Sequence, residues 1–249
     1  MKQLSITILL SLVSMFGTRA LAHNFQAKNV DGVTIYYVIN DDQKTVSVSC
    51  RGEIYTSYSN EYSGKVIIPS TVKYNGKEYT VTGINNGAFF GCNVTYVYIP
   101  NTVTLIKTLA FSGSSIKSIR IPSSMTYIYT EAFMSCNNLT YVVIGNTNTS
   151  ISDDVFKNCG NLKDVYCYSK KMVDAAPHAF GQFSACANVT LHAPSTVLSQ
   201  YQNTYPWNYH CTTFVELMDD DPRIIGDTDG NGDVNASDVV TTVNIILGK

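Results

Sequence analysis

The residues best suited to chemistry lie close to the C-terminal end of the chain, where side chains with oxygen atoms alternate with other residues. They are Asp227, Asp229, Asn231, Asp233, Asn235 and Asp238. A hard divalent cation binds six or more oxygen atoms, and alternate residues of a tight loop turn theirs inward. Gly232 permits the sharp bend that such a loop needs. Residues 227–238 are therefore predicted to bind calcium, and a plain Asp-Gly-Asn-Gly turn is the alternative.

The loop runs directly into a segment whose apolar residues recur with helical spacing. These residues are Val239, Val240, Val243, Ile246 and Leu247, and they would share one side of a helix. With aspartate at the last loop position, this segment resembles a type I dockerin repeat. The resemblance implies calcium ligation by the side chains of Asp227, Asp229, Asn231 and Asp238. It also implies that Asp233 binds through its carbonyl and Asn235 through a water molecule.

The dockerin resemblance also implies a partner for this tail. Dockerins recognise a cohesin through loop positions 10 and 11, which are Ala236 and Ser237 here, so half of the usual Ser-Thr pair is present. A dockerin has two such repeats, whereas this chain shows one. The apolar side of the helix is therefore expected to pair with a cohesin-like protein or a second helix outside the chain. Residues 227–249 are expected to fold only when calcium binds.

An internal repeat dominates the rest of the chain. Its most regular marker is a phenylalanine, found at intervals of 22, 22, 23 and 24 residues as Phe89, Phe111, Phe133, Phe156 and Phe180. An isoleucine precedes the first four of them by five residues, at Ile84, Ile106, Ile128 and Ile151. A fixed period in the twenties indicates a solenoid. Each unit has apolar side chains on one side only, so successive units must stack to form a continuous core.

Each unit reads as an apolar residue, then Ala-Phe or Val-Phe, then Cys or Ser, and then a short alternating strand. This unit resembles the BspA-like leucine-rich repeats of bacterial surface and secreted proteins, over most of residues 66–194. The fifth unit departs from the pattern, because Gly181 to Ala185 intervene between Phe180 and Cys186. The resemblance implies a leucine-rich-repeat solenoid, and repeats of this family are associated with adhesion.

The segments on both sides of the repeats resemble the caps of the same family. Alternating runs before the repeats, with a hairpin signal at Asn75-Gly76, predict a β cap. After the repeats, a short helix is predicted from Ser195 to Asn203. The predicted fold is mainly β: a leucine-rich-repeat solenoid with a β-hairpin N-terminal cap and a small helical EF-hand-like (dockerin) tail. Its predicted parts are a signal peptide (1–22), the N-terminal cap (23–65), the solenoid (66–194), the C-terminal cap (195–218), a linker (219–225) and the dockerin-like repeat (226–249).

Alternation within each strand separates a predicted core from a predicted outer face. The core is Ile84, Phe89, Val97, Ile99, Ile106, Phe111, Ile119, Ile121, Ile128, Phe133, Val142, Ile144, Phe156 and Val165. Two outward ladders are expected: Tyr96, Ser118, Tyr141, Asp164 and Asn188, and Tyr98, Arg120, Val143, Tyr166 and Thr190. Tyrosine combines an apolar ring with a polar tip, which suits sugars and protein surfaces. The predicted ligand-binding residues are therefore Tyr96, Tyr98, Arg120, Tyr141 and Tyr166; tyrosines chosen only for β propensity are the alternative.

Cysteine and histidine indicate no reaction centre. Cys92, Cys136 and Cys159 each follow a repeat phenylalanine by three residues, which predicts a packing ladder of small side chains. A disulfide between Cys136 and Cys159 on adjacent rungs is the alternative. The four histidines have no recognisable spacing to the cysteines, as a thiol nucleophile would require. The sequence has no His-Glu-x-x-His, Gly-x-Ser-x-Gly or phosphate-loop motif either, so we predict that the protein is not an enzyme.

The first 22 residues have the pattern of a signal peptide. Lys2 is followed by an apolar run from Leu4 to Phe16 and by Ala20-Leu21-Ala22, which predicts cleavage after Ala22 and a secreted or cell-surface protein. The apolar run is shorter than the roughly 20 residues that span a bilayer, so no membrane span is expected. Only 14% of residues are charged and the formal net charge is −2, so no nucleic-acid partner is expected.

Three functions are compatible with these features. The first is a non-catalytic binding protein, whose repeats bind an extracellular protein or glycan and whose calcium-dependent tail attaches it to another component. The alternative is a scaffold or accessory subunit of a polysaccharide-degrading extracellular assembly, inferred from the dockerin-like tail. A small hydrolase is the weakest, because no acid–base pair of carboxylates stands out in the sequence.

Overall fold

A computed structural model describes residues 23–52, 61–145, 148–181 and 188–217. The predicted signal peptide, linker, calcium loop and following helix lie outside the described residues, as does Cys186. The described chain is mainly β and winds into a solenoid of stacked rungs. We number the rungs 1 to 5 by their phenylalanines, from Phe89 to Phe180.

The N-terminal cap begins the solenoid with antiparallel strands that turn into parallel ones. Its strands are β1 (Phe25–Lys28), β2 (Thr34–Ile39), β3 (Thr45–Ser49), β4 (Ser63–Ile67), β5 (Thr71–Tyr74) and β6 (Lys77–Ile84). β1, β2 and β3 form an antiparallel meander, and β3 then pairs in parallel with β6. The predicted hairpin at Asn75-Gly76 is confirmed: it joins β5 to β6, and both residues have positive φ, as a tight two-residue hairpin turn requires.

Each of the five rungs contributes one strand to each of two sides of the solenoid. In the first sheet the rung strands after β6 are β8 (Leu105–Ile106), β10 (Tyr127–Ile128), β12 (Ser150–Ile151) and β14 (Asp174–Ala175). On the other side they are β7 (Asn93–Tyr98), β9 (Ser118–Ile121), β11 (Tyr141–Ile144), β13 (Asp164–Cys167) and β15 (Val189–Ala193). The described C-terminal elements are α1 (Ser195–Asn203), α2 (Trp207–His210) and β16 (Cys211–Glu216).

The strand order follows the chain from rung to rung. The first sheet runs β1-β2-β3-β6-β8-β10-β12-β14, with β5 also paired to β6. The second sheet runs β9-β11-β13-β15-β16, and the parallel pair β4-β7 lies beside β9. Lys117 N donates to Thr95 O at 3.1 Å, which connects β9 to that pair. No helix in the described ranges is long and apolar enough to cross a membrane.

Stacked phenylalanines form the centre of the solenoid. The ring centroids of Phe89, Phe111 and Phe133 are 4.9 Å apart at each step, and their ring planes differ by 7°. The centroid distance is 5.6 Å both from Phe133 to Phe156 and from Phe156 to Phe180. The backbone holds the same spacing, because Phe111 N, for example, donates to the carbonyl of Ala132 on the next rung at 2.7 Å. All fourteen residues of the predicted core are buried.

Aromatic residues of the caps continue this stack at both ends. Tyr62 packs on Phe89 at 4.7 Å, and its hydroxyl donates to Ser49 O at 2.8 Å. At the other end Trp207 meets Phe180 edge-on at 5.6 Å, and its Nε1 donates to Val173 O at 3.1 Å. The caps therefore bury the terminal rings and also pair the polar atoms of the aromatic residues that cover them.

The cysteines after the phenylalanines form a ladder of buried thiols. Cys136 Sγ donates to Phe111 O at 3.1 Å and Cys159 Sγ to Phe133 O at 3.0 Å, so each thiol bonds back to the preceding rung. Both are free cysteines, which confirms the packing ladder and excludes the alternative Cys136–Cys159 disulfide in this structure. Burial raises the pKa of the Cys167 and Cys211 thiols to about 12, which leaves both protonated and poorly nucleophilic at neutral pH.

Replacing Phe133 by alanine tests the stacked core. The ring is fully buried between two neighbours, so Phe133→Ala should lower the free energy of unfolding by about 3 to 5 kcal/mol. Urea unfolding followed by circular dichroism measures this change. Val30 is 83% exposed, and Val30→Ala should change the same quantity by no more than about 0.5 kcal/mol. Equal midpoints for the two variants would contradict the stacking.

Candidate ligand-binding face of the second sheet

The outer side of the second sheet carries two parallel columns of side chains, one from each pleat. We call it the second-sheet face. Strand pairing gives the first column as Lys65, Tyr96, Ser118, Tyr141, Asp164, Thr190 and Thr213, and the second as Ile67, Tyr98, Arg120, Val143, Tyr166, His192 and Val215. The face therefore brings aromatic and charged residues from seven strands onto one surface.

The five predicted ligand-binding residues all lie on this face, but they are not equally accessible. Tyr96 and Tyr166 expose only 8% and 5% of their surfaces, because neighbouring side chains of the same columns cover them. Tyr98, Arg120 and Tyr141 are half-buried and reach solvent. An incoming ligand can touch these three residues directly, while Tyr96 and Tyr166 support them from within the face.

The sequence-based register of the fifth rung is wrong by two residues. Asp164 pairs with Thr190 instead of Asn188, and Tyr166 pairs with His192 instead of Thr190. The extra length lies after the phenylalanine. The core residue Leu191 is eleven positions after Phe180, whereas the corresponding core residue of each earlier rung is eight or nine positions after its phenylalanine. A longer turn moves the strand without disturbing the stacked ring, and the repeat period alone does not reveal it.

The corrected register brings an aromatic and charged cluster together that the sequence did not indicate. His192 stacks on Tyr166 with ring centroids 4.2 Å apart and planes 17° apart. Its Nε2 lies 2.9 Å from Asp164 Oδ1, so the histidine contacts Tyr166 in its own column and Asp164 in the other. Tyr141 meets the other side of the Tyr166 ring edge-on at 6.3 Å. The cluster holds the tyrosines in fixed orientations at one end of the face.

Arg120 supplies a cationic group in the middle of the face. It lies between Tyr98 and Val143 in the second column. Its Nη1 atom is enclosed and has no hydrogen-bond partner among the residues that the structure describes. A buried donor without a partner is unfavourable. Arg120 as a whole is only half-buried, so the part of its side chain that reaches solvent can approach a ligand, and a guanidinium suits an oxygen acceptor such as a carboxylate or a carbonyl.

The second-sheet face offers aromatic, cationic and hydrogen-bonding side chains. Within the described ranges, no three side chains from His, Cys, Asp and Glu come together in a way that could hold a metal ion. The predicted calcium residues, from Asp227 to Asp238, lie outside these ranges, so their arrangement remains a prediction from sequence. Aromatic rings, one guanidinium and one histidine–carboxylate pair offer stacking and hydrogen bonds to a ligand.

Comparison with known proteins identifies the repeat. Residues 65–187 match the family model described as the BspA type leucine rich repeat region, in six copies. This is one copy more than the five rungs defined by phenylalanine, and it agrees with β4 and Tyr62 acting as a preceding rung. No curated protein matches the sequence.

Several solved structures are similar to this chain at low sequence identity. The pneumococcal vaccine antigen PcpA is 15% identical with a TM-score of 0.48, and the match covers 71% of this chain and 51% of that one. A leucine-rich repeat protein from Bacteroides ovatus is 20% identical with a TM-score of 0.35, over 71% and 56%. The leucine-rich repeat protein of T. pallidum is 17% identical with a TM-score of 0.41, over 77% and 83%. The chain spans about half the length of the first two.

Substitutions in the His192 cluster test the corrected register. His192→Ala removes the stack on Tyr166 and the bond to Asp164, so unfolding should become about 1 to 2 kcal/mol easier. Asp164→Asn keeps a hydrogen-bonding group at the rim and should lower stability by less than about 1 kcal/mol. Both values come from urea unfolding, with Val215→Ala in the same column as the control. A larger loss for Asp164→Asn than for His192→Ala would contradict this arrangement.

Proposed function

Taking the BspA-type leucine-rich repeats of residues 65–187 as the premise, we propose that this chain is a non-catalytic binding protein displayed outside a bacterial cell. The N-terminal signal pattern supports export, and the resemblance to bacterial surface and secreted proteins supports the same location. The proposed ligand is an extracellular protein or glycan that lies across the second-sheet face.

A single observation carries the binding role. Tyr98, Arg120 and Tyr141 lie half-buried on one face, where packed neighbours hold their side chains while part of each reaches solvent. Binding surfaces owe most of their affinity to a few rigid aromatic and arginine side chains, which lose little conformational entropy when a ligand arrives. The rungs are rigid because every strand is bonded to the next, so the face is formed before the ligand binds.

Binding to the second-sheet face can be tested with the mature protein, residues 23–249, on an array of glycans and extracellular matrix proteins. For at least one ligand found, Tyr98→Ser combined with Tyr141→Ser should weaken binding by about 10- to 100-fold, and Arg120→Met by about tenfold or more. Tyr209→Ser is the matched control, because Tyr209 is 66% exposed and lies in the C-terminal cap. Full affinity in the double variant would show that the ligand binds elsewhere.

For the tail, we propose calcium-dependent attachment to another component. The support is the sequence pattern of residues 227–238, whose six oxygen-bearing positions fit a calcium loop. Three carboxylates, Asp227, Asp229 and Asp238, would repel one another in the absence of a cation, and calcium would remove this repulsion as the loop orders. The apolar helix that follows would then bind a cohesin-like protein or a second helix.

This tail also favours a second candidate function. A dockerin-like segment would place the repeats in a polysaccharide-degrading extracellular assembly, where the chain would act as a scaffold or accessory subunit. The two candidates differ in their partner: a scaffold subunit requires capture of a cohesin-like module, whereas a surface binding protein requires only a ligand for its repeats.

Calorimetric titration tests the calcium site. The mature protein should bind one calcium ion, with a dissociation constant as weak as about 10⁻⁴ to 10⁻³ M for an extracellular module. Asp227→Ala should abolish the heat, while Asp221→Ala, in the neighbouring acidic linker, should leave it unchanged. Light scattering at saturating calcium then reports whether the helix self-associates. If the unmutated protein gives no calcium heat, the metal site is refuted.

A further inference from the structure

A pocket of about 440 Å³ opens on the outer side of the first sheet, where the N-terminal cap meets rungs 1 and 2. Its size falls in the range of pockets that hold small ligands. The lining comes from the turn between β2 and β3, including Asp41, and from two adjacent rungs: Thr82, Gly83 and Asn85 in rung 1, and Leu105 and Lys107 in rung 2. It lies on the opposite sheet from the second-sheet face.

The Ser47 side chain fills the place that a side chain at position 83 would take, so this part of the pocket wall depends on glycine. Ser47, Gly83 and Leu105 are neighbours in the outer column of the first sheet. A Cβ atom on Gly83 would lie 2.8 Å from Ser47 Oγ, closer than packing allows. Ser47 cannot turn away freely, since its hydroxyl donates to Asn40 Oδ1 at 2.9 Å, and Asn40 Nδ2 in turn bonds Thr82 Oγ1 at 3.2 Å. Glycine at position 83 therefore lets the Ser47 side chain stand in the pocket wall, where hydrogen bonds fix it.

The charged groups around the pocket are held in defined places. Asp42 accepts the backbone N–H groups of Lys44 and Thr45 at 2.8 Å each, and these bonds lower the pKa of its carboxyl. Asp42 thus fixes the turn that places Asp41 at the pocket. On the opposite wall Lys107 Nζ donates to Asn85 Oδ1 at 3.1 Å.

The lining offers hydrogen bonds of both kinds and one net negative charge, since Asp41 and Asp42 lie there with Lys107, and this charge disfavours an acidic ligand. Lys107 and Asn85 can donate, Asp41 can accept, and the hydroxyl of Thr82 can do both. Leu105 supplies an apolar patch on the same wall. A ligand that suits this lining is neutral, carries several hydroxyl groups and has an apolar ring surface. These are the properties of a sugar ring.

Two tyrosines extend the pocket along the solenoid axis. Tyr127, in rung 3, is the neighbour of Leu105 in the outer column. Tyr129 is likewise the neighbour of Lys107, because Lys107 N donates to Ile84 O and Tyr129 N donates to Ile106 O one rung further on. Their rings lie 4.6 Å apart at 62°. They are 37% and 40% exposed, more than any other aromatic side chain of the described rungs. One rung, about 4.8 Å, separates them from the pocket wall.

We propose that this surface is a saccharide-binding site: the pocket holds one ring of a neutral oligosaccharide, and Tyr127 and Tyr129 hold the next. The proposal goes beyond the second-sheet face and shares with it only the general binding role. Polar groups in the pocket fix the orientation of the first ring through hydrogen bonds. The exposed aromatic rings add contact area for a flat apolar sugar face, at little entropic cost because their backbone is bonded into the sheet.

The test uses the mature protein and three neutral probes, cellohexaose, xylohexaose and mannohexaose, with oligogalacturonate as the acidic comparison. Affinities come from calorimetry. At least one neutral probe should bind more tightly than oligogalacturonate. Tyr127→Ser combined with Tyr129→Ser should weaken that binding by about 10- to 100-fold. Gly83→Val should abolish it by displacing Ser47 from the pocket wall, and Asp41→Asn with Lys107→Met should weaken it at least about tenfold without steric change.

The variants separate this site from the second-sheet face. Tyr98→Ser with Arg120→Met should leave the affinity for the neutral probe unchanged, as should Tyr209→Ser. Circular dichroism of Gly83→Val shows whether it folds, and the Asp41 and Lys107 variant decides the matter if it does not. Loss of binding in the second-sheet variants with retention in the pocket variants would overturn the proposal and leave the second-sheet binding role standing. Failure of all three neutral probes to bind would also overturn it.

Discussion

The structure depends on the separation between adjacent rungs, because one distance must satisfy both the backbone ladder and the stacked rings. Phe89, Phe111 and Phe133 lie 4.9 Å apart, close to the spacing at which parallel strands form hydrogen bonds. Offset-stacked aromatic rings attract one another at this centroid separation. The two interactions therefore reinforce each other, and a single phenylalanine per rung aligns both sheets. The caps obey the same constraint by presenting Tyr62 and Trp207 to the terminal rings.

The period of the phenylalanines was sufficient to predict the solenoid, its core and the thiol ladder, since all three follow from one residue type at a fixed spacing. It was not sufficient for the fifth rung, where the turn after Phe180 is longer and His192 rather than Thr190 lies beside Tyr166. Alternation also predicts only whether a side chain points outward. It does not predict that Tyr166 is covered by the ring of His192, because that depends on which residues the neighbouring rungs place beside it.

The pocket escaped sequence reasoning for a related reason. Gly83 matters only because Ser47, thirty-six residues earlier, lies next to it across a parallel pair. Neither residue belongs to a recognisable motif. The two sheets also differ in how crowded their outer sides are: strands of four to six residues in the second sheet carry two full columns, whereas two-residue strands dominate the repeat part of the first. Side chains such as Tyr127 consequently have fewer neighbours beside them and remain open to solvent.

The segment from the phenylalanine to the second sheet varies from eight to eleven positions among the rungs, whereas the phenylalanine always lies five positions after the matching residue of the first-sheet strand. This inequality has an evolutionary consequence. Gene duplication that copies a whole rung produces a unit with the same first-sheet strand and the same phenylalanine as its parent. The copy can therefore stack at any position between the caps. Small insertions are then tolerated in the turn, where they change the outer surface without disturbing the stack. Specificity can diversify in such a lineage while the number of rungs grows or shrinks.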